Sequence, residues 1–327
     1  MNDFLTQVQI VKPPFEITYR SNLFFIGSCF SDYIGKKMRE LQFHVCTNPF
    51  GVIYNPLSIA SNLELLVEKV CFTEDDLSFY NELWFSYTHY TLFSHPDKET
   101  CLRNINASFS EAKEFLFKAD LLFITLGTSW IYRLRENGNV VANCHKQPAS
   151  RFERSLLTVE QSYEALKLCI EKIRNINSDI KFVFTVSPIR HWKDGAIGNQ
   201  RSKAALILAI TELQDRLENI YYFPAYEIFM DELRDYRFYA ADMLHPSESA
   251  QNYIWERFNE SFISHDDMII LRNVEKIISS LEHKPRFPDT GAYRNFKQSV
   301  HKKIQELSKK FPFIDFHELQ LRAENNV

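Results

Sequence analysis

This chain of 327 residues has no Cys-x-x-Cys pair, no long apolar run and no large excess of either charge. Its six cysteines, Cys29, Cys46, Cys71, Cys101, Cys144 and Cys169, are scattered, which argues against a zinc ribbon or a thioredoxin-like centre and predicts reduced, core-filling thiols. His89, His95, Cys144 and His145 lack a recognised ligand spacing, so neither a metal nor a cofactor is expected. Nowhere do about 18 apolar residues run together, so no spanning helix is expected. Met1 to Arg20 lacks the basic start and apolar centre of a signal peptide, which points to a cytoplasmic protein. A formal net charge of −4 supplies no broad attraction for nucleic acid or anionic membrane. Internal repeats and low-complexity tracts are also missing.

What is present supports a substantial core: 45% of residues are hydrophobic and 28 are Phe. Four apolar runs have strand length, Leu23 to Ile26, Leu121 to Leu126, Phe182 to Val186 and Ile220 to Phe223, as buried parallel strands do. Helical spacing falls between them, with Leu206, Ile210, Leu213 and Leu217 on one face and a Thr158/Gln161 capping box opening a helix towards Ile176. Alternating strands and helices predict an α/β fold with a mostly parallel sheet covered on both faces. Asn137-Gly138 predicts a small hairpin between Ile131 and Ala142. After Phe262 the pattern turns all-helical, with Met268 to Leu281 and Val300 to Phe311 separated by Lys284-Pro285-Arg286-Phe287-Pro288. The expected organisation is a main domain over 1–265 and a helical C-terminal appendage over 266–327, packed on that domain or serving a homo-oligomer.

Gly27-Ser28-Cys29-Phe30-Ser31 lies between the first strand and the helix-like segment Asp32 to Phe43. A small-residue turn there places Ser28 at a helix N-terminus, where free N–H groups and the positive dipole end stabilise an oxyanion. Asp242-Met243-Leu244-His245-Pro246 precedes the helix-like segment Ser247 to Phe262. Asp242 and His245, three positions apart, fit one short loop in which the carboxylate orients an imidazole that activates a distant serine. In an open parallel sheet ligands bind beyond the carboxyl ends of the strands, and both motifs, with Gly127-Thr128-Ser129 and Ser187-Pro188, fall there.

Gly27-Ser28-Cys29-Phe30, Asn48-Pro49-Phe50-Gly51, Thr125-Leu126-Gly127-Thr128, Asn143-Cys144-His145-Lys146 and Asp242-Met243-Leu244-His245-Pro246 together resemble the GSCFA domain family over roughly 15–262, with Ser31 where the family name has alanine. That family is regarded as related to the SGNH, or GDSL-like, hydrolases. The resemblance implies a three-layer α/β/α fold, Ser28 as nucleophile, His245 as general base and Asp242 as its partner. It also implies oxyanion donors from the Ser28 and Gly51 N–H groups. Ser129 stands where those hydrolases carry a third, asparagine donor, whose loss costs about 2.7–4 kcal/mol of transition-state stabilisation. Asn48 and Asn143 are the expected replacements.

The expected function is a serine esterase or O-acyltransferase acting on a small acyl ester, such as acetyl, of a polar or carbohydrate substrate through an acyl-enzyme on Ser28. Gly127, Thr128, His145, Arg190 and His191 are expected at the substrate. The alternative is a non-catalytic ligand-binding module on an SGNH scaffold with a degraded oxyanion hole. A second enzymatic reading makes Cys29 the nucleophile, as a thiolate at the helix N-terminus with His245 as its base, but as the next residue in the turn Cys29 is expected to point away from the site and pack.

Overall fold

The computed structural model describes residues 6–283, 285–287 and 289–325. Lys284 and Pro288, in the expected boundary, lie outside them. Five strands, β1 (Asn22–Gly27), β2 (His44–Thr47), β5 (Leu121–Leu126), β9 (Lys181–Val186) and β10 (Ile220–Tyr222), form a parallel sheet in the order β10-β9-β5-β1-β2. The four expected strands are present. β2 is the addition: His-Val-Cys-Thr has no continuous apolar run because it is the edge strand, with its residues half-buried or exposed.

Strand alternation builds two cores. Leu23, Phe25, Leu121, Phe123 and Val183 face one side, against α1 (Cys29–Glu40) and α7 (Glu248–Phe262). Phe24, Ile26, Leu122, Ile124, Phe182 and Phe184 face the other, against α2 (Pro56–Glu68), α3 (Lys98–Leu116), α4 (Val159–Ile176) and α5 (Gly195–Arg216). The result is a three-layer α/β/α architecture. Several helix starts are legible locally. Asn55 caps α2 with Pro56 in its first turn, and Thr158 and Gln161 form the expected capping box of α4.

Around this frame lie the hairpin β3 (Ser78–Tyr80) and β4 (Leu83–Phe85), a short turn α6 (Ala225–Glu227), and a three-stranded antiparallel flap. The flap has β6 (Trp130–Leu134) paired with both β7 (Val140–Val141) and β8 (Phe152–Leu156), so the expected hairpin gains a third strand. At the C-terminus α8 (His265–Glu282), α9 (Gly291–Lys310) and α10 (His317–Asn325) follow. Their buried residues Ile270, Leu271, Val274, Val300, Ile304 and Leu319 belong to the same core cluster as Phe25 and Trp255, so the helices extend the first core.

Candidate active site

The strand order reverses between β1 and β5: the chain leaves β1 for β2 on one side and later returns to place β5 on the other. Such a switch point opens a crevice at the carboxyl ends of the strands. Gly27 ends β1 there with φ +137°, and a Cβ at this position would sit 2.2 Å from the Thr125 carbonyl oxygen. Only glycine permits that approach. The chain then turns directly into α1, capped by Ser28, whose Oγ accepts from the Phe30 N–H at 3.4 Å.

That cap redistributes the roles of the turn. Ser28 is 2% exposed, and its own N–H donates to Thr125 O at 3.1 Å. Cys29 is the first residue of α1, is half-buried, and lines a cavity of about 470 Å³ together with Ser28, Tyr54, Asn55, Asn143 and His245. The expectation that Cys29 turns away is corrected: because the helix begins at Cys29, its Cβ projects to the same crevice as the cap, and its sulfur lies 3.7 Å from the Tyr54 hydroxyl. As a first-turn residue Cys29 has no intrahelical acceptor for its N–H. The Tyr54 N–H likewise has no hydrogen-bond partner among the described residues.

Across the cavity, residues 239–247 fold into a tight loop. Ala240 N–H donates to His245 O, Met243 takes φ 58°, and Tyr239 bridges Pro246. Asp242 holds this loop: one carboxylate oxygen accepts the N–H groups of Leu244 and His245 at 3.0 Å each, and the other meets His245 Nδ1 at 2.5 Å. The His245 and Leu244 backbone donors, then the imidazole, lower the Asp242 carboxyl to about 2. A carboxylate only accepts, so Nδ1 carries the hydrogen, and in the neutral ring it is Nε2 that keeps the lone pair. Both side chains are about half exposed. No hydrogen bond joins His245 to Ser28 or Cys29 among the described residues.

The other expected residues divide. Thr128, Asn143, Arg190 and His191 line the cavity, and Gly127 supports it, since a Cβ there would meet Tyr54 and His191. Asn143 spends its Oδ1 on the His145 N–H at 2.8 Å, leaving its amide NH₂ as a donor. Burial, then the Lys203 charge, pulls His191 down to about 4, so its ring is neutral near pH 7. His145 is corrected to a structural residue: it is buried behind the wall, bonds Ser86 O through Nε2 at 3.0 Å and stacks on Phe85. Gly51 and Ser28 are corrected as oxyanion donors. The Gly51 N–H closes a turn onto Asn48 O at 2.7 Å, and its α-carbon packs on Tyr90. Asn48 braces the Gly27 N–H from below, with its Nδ2 buried and unpartnered, and does not line the cavity. Ser129 is buried on Ser202 and supplies nothing to the cavity.

Sequence reasoning missed Tyr54, Asn55 and Lys203. Asn55-Pro56 is a readable helix start, and Tyr54 precedes it much as Gly27 precedes Ser28. Lys203 left no signal: it sits inside a helical pattern, yet is 1% exposed, and its Nζ donates to both Gly127 O and Ser187 O at 2.7 Å, tying the ends of β5 and β9 together. Among the described residues no cluster of three or more His, Cys, Asp or Glu is arranged to hold a metal, and no helix is long and apolar enough to cross a membrane.

Fold and cavity thus define a three-layer α/β/α protein with a histidine–carboxylate pair facing a helix N-terminus at the sheet's switch point. The profile of the GSCFA family matches residues 22–258, and that of the GSCFA domain protein C-terminal domain matches 274–325; the chain belongs to the GSCFA family. No curated protein matches the chain.

Proposed function

We propose that the protein is an acyl-transfer enzyme, an esterase or O-acyltransferase of a small acyl ester on a polar or carbohydrate substrate. The observation that carries this reading is the Asp242 carboxylate on His245 Nδ1, with the imidazole and the N-terminus of α1 lining one cavity. That is the arrangement of a base oriented by a third group before an activated nucleophile.

Two residues of the turn can supply the attacking atom, and the geometry favours Cys29 over Ser28. Ser28 is committed to capping and its N–H to Thr125 O. Cys29 lines the cavity and, as a first-turn residue, keeps a spare N–H, at a helix end that stabilises a thiolate. The Cys29 and Tyr54 N–H groups, with the Asn143 amide, form the proposed oxyanion hole in place of Ser28, Gly51 and Asn48. Closure of the exposed 239–247 loop on substrate brings His245 to the sulfur.

In the proposed cycle His245 Nε2 takes the thiol proton and Sγ bonds to the ester carbonyl carbon. The C–O bond to the alcohol then breaks, and the imidazolium returns its proton to the departing oxygen. Water, or a second hydroxyl, loses a proton to Nε2, attacks the thioester and releases the acid or a new ester with the thiol restored.

The test is initial-rate turnover of acetyl esters by folded Ser28→Ala, Cys29→Ala and His245→Ala, with peptide mapping after iodoacetamide. Expected are loss of turnover in Cys29→Ala and His245→Ala, retained turnover in Ser28→Ala, and alkylation of Cys29 that inactivates the enzyme. An inactive Ser28→Ala beside an active Cys29→Ala returns the role to Ser28. Absence of turnover across acetyl and longer esters, with ligand binding intact, favours the binding-module reading.

A further inference from the structure

The active-site cavity does not end at His245. A second cavity of about 590 Å³ lies on the other side of the Asp242–His245 loop and shares Arg190 and Trp192 with the first. Each is within the size range of a ligand site, about 300–1,000 Å³, so the pair offers far more room than an acetyl ester fills. In the proposed reaction the leaving alcohol must lie beside His245, which donates its proton. A substrate seated that way extends past Arg190 and Trp192 into the second cavity.

The walls there have a defined chemistry. Trp192 is 53% exposed and Tyr236 79% exposed, and Tyr239 joins them. The acids nearby are already used: Asp235 pairs with Arg237 at 2.8 Å, Asp242 with His245, and Asp231 with Arg234. Arg190 has no carboxylate partner among the described residues. Its Nε is buried without a hydrogen-bond partner, and its Nη2 meets only the Met230 sulfur at 3.8 Å. Close by, buried Lys203 bonds two backbone carbonyls and has no acid partner among the described residues. A half-buried guanidinium without a counter-ion, where two cavities meet, calls for an anion from the ligand, and its planar fork matches a carboxylate. The exposed aromatic faces suit the C–H face of a sugar ring.

We propose that the second cavity is a subsite for a carboxylate-bearing sugar, the neighbour of the acylated unit in an acidic oligosaccharide, with Arg190 holding the carboxylate and Trp192 and Tyr236 flanking the ring. The proposal deepens, and for its orientation rests on, the acyl-transfer reading.

Binding is measured without turnover, by calorimetry and tryptophan fluorescence on the Cys29→Ala protein, with trigalacturonate as acidic probe and xylotriose as neutral probe. The acidic probe is expected to bind at least about tenfold more tightly, and Arg190→Gln to abolish that preference while changing neutral binding less than about twofold. Arg190→Lys, which keeps the charge and the fold but loses the fork, should fall between them. Tyr236→Ala should weaken both probes. Equal affinity for the two probes, no binding of the acidic one, or an unchanged preference in both Arg190 variants overturns the subsite. Acidic preference in a protein that turns over no ester leaves the subsite standing and removes the catalytic reading, whereas ester turnover without that preference does the reverse.

Discussion

Gly27 and Asp242 show how single residues set the site. At Gly27 the backbone has φ +137° and the Thr125 carbonyl fills the space of a side chain. Gly27→Ala is therefore expected to cost at least about 2 kcal/mol, from the unfavourable backbone region and the clash together, read as a lower urea midpoint. Asp242 is a different kind of residue: exposed, worth little to stability, and placed only to hold His245. Asp242→Asn should leave the melting temperature nearly unchanged while lowering kcat by at least about a hundredfold, because an amide no longer fixes the imidazole tautomer. A variant with undiminished kcat would remove Asp242 from the proposed mechanism.

At the scale of elements, the cavity rim depends on strand ends that are tied from beneath. Lys203 on α5 is the tie, bonding the Gly127 and Ser187 carbonyls just past the ends of β5 and β9. Lys203→Met keeps the volume and strands two buried acceptors, so a loss of about 1–3 kcal/mol is expected by denaturant titration. A weaker rim should also raise KM for the ester. The start of α1 illustrates what could be read in advance and what could not. Gly27, the following serine and the strand before them announced a strand–turn–helix; which of Ser28 and Cys29 capped the helix depended on where the first turn began, and boundaries shift by a residue or two without any change in the apolar pattern. The same uncertainty hid β2, whose edge position needs no hydrophobic run.

For the whole molecule, burial makes several bases neutral. His89 is pulled down to about 3, and His145 and His191 to about 4, chiefly by burial. Their folded values lie below the ordinary 6.5, so the unfolded chain binds more protons in that window. Their contribution is complete above about pH 6.5 and is lost as pH falls towards about 4. The melting temperature should drop across that interval; a flat profile would contradict neutral, buried histidines. The C-terminal helices supply a second expectation. Ile270, Leu271, Val274, Val300, Ile304 and Leu319 are buried in the main core, and at about 1.5–3 kcal/mol each their loss rivals the stability of a typical domain. A chain ending at residue 265 should be insoluble or unfolded by circular dichroism; a soluble, folded 1–265 would make the C-terminal helices an independent unit.

The sequence by itself determined the α/β class, four of the five sheet strands, the starts of α1, α4 and α7 and the Asp242–His245 pair, because each follows from local periodicity, capping or a spacing that one short loop can satisfy. Strand order also placed Ser28 and Thr128 on one rim, where they line the same cavity; Asn143, drawn from the family resemblance, and Arg190 and His191, read as loop residues, line it too. Only the tertiary structure decided which N–H groups remain unspent, that Cys29 shares the cavity with Ser28, that His145 is core, and that Lys203 and Arg190 have no acid partner among the described residues. Those properties depend on what arrives from distant parts of the chain, Thr125 beside Ser28, Asn48 beneath Gly27, Ser86 against His145, and hydrogen bonds spent across such separations leave no periodic trace in the residues that make them.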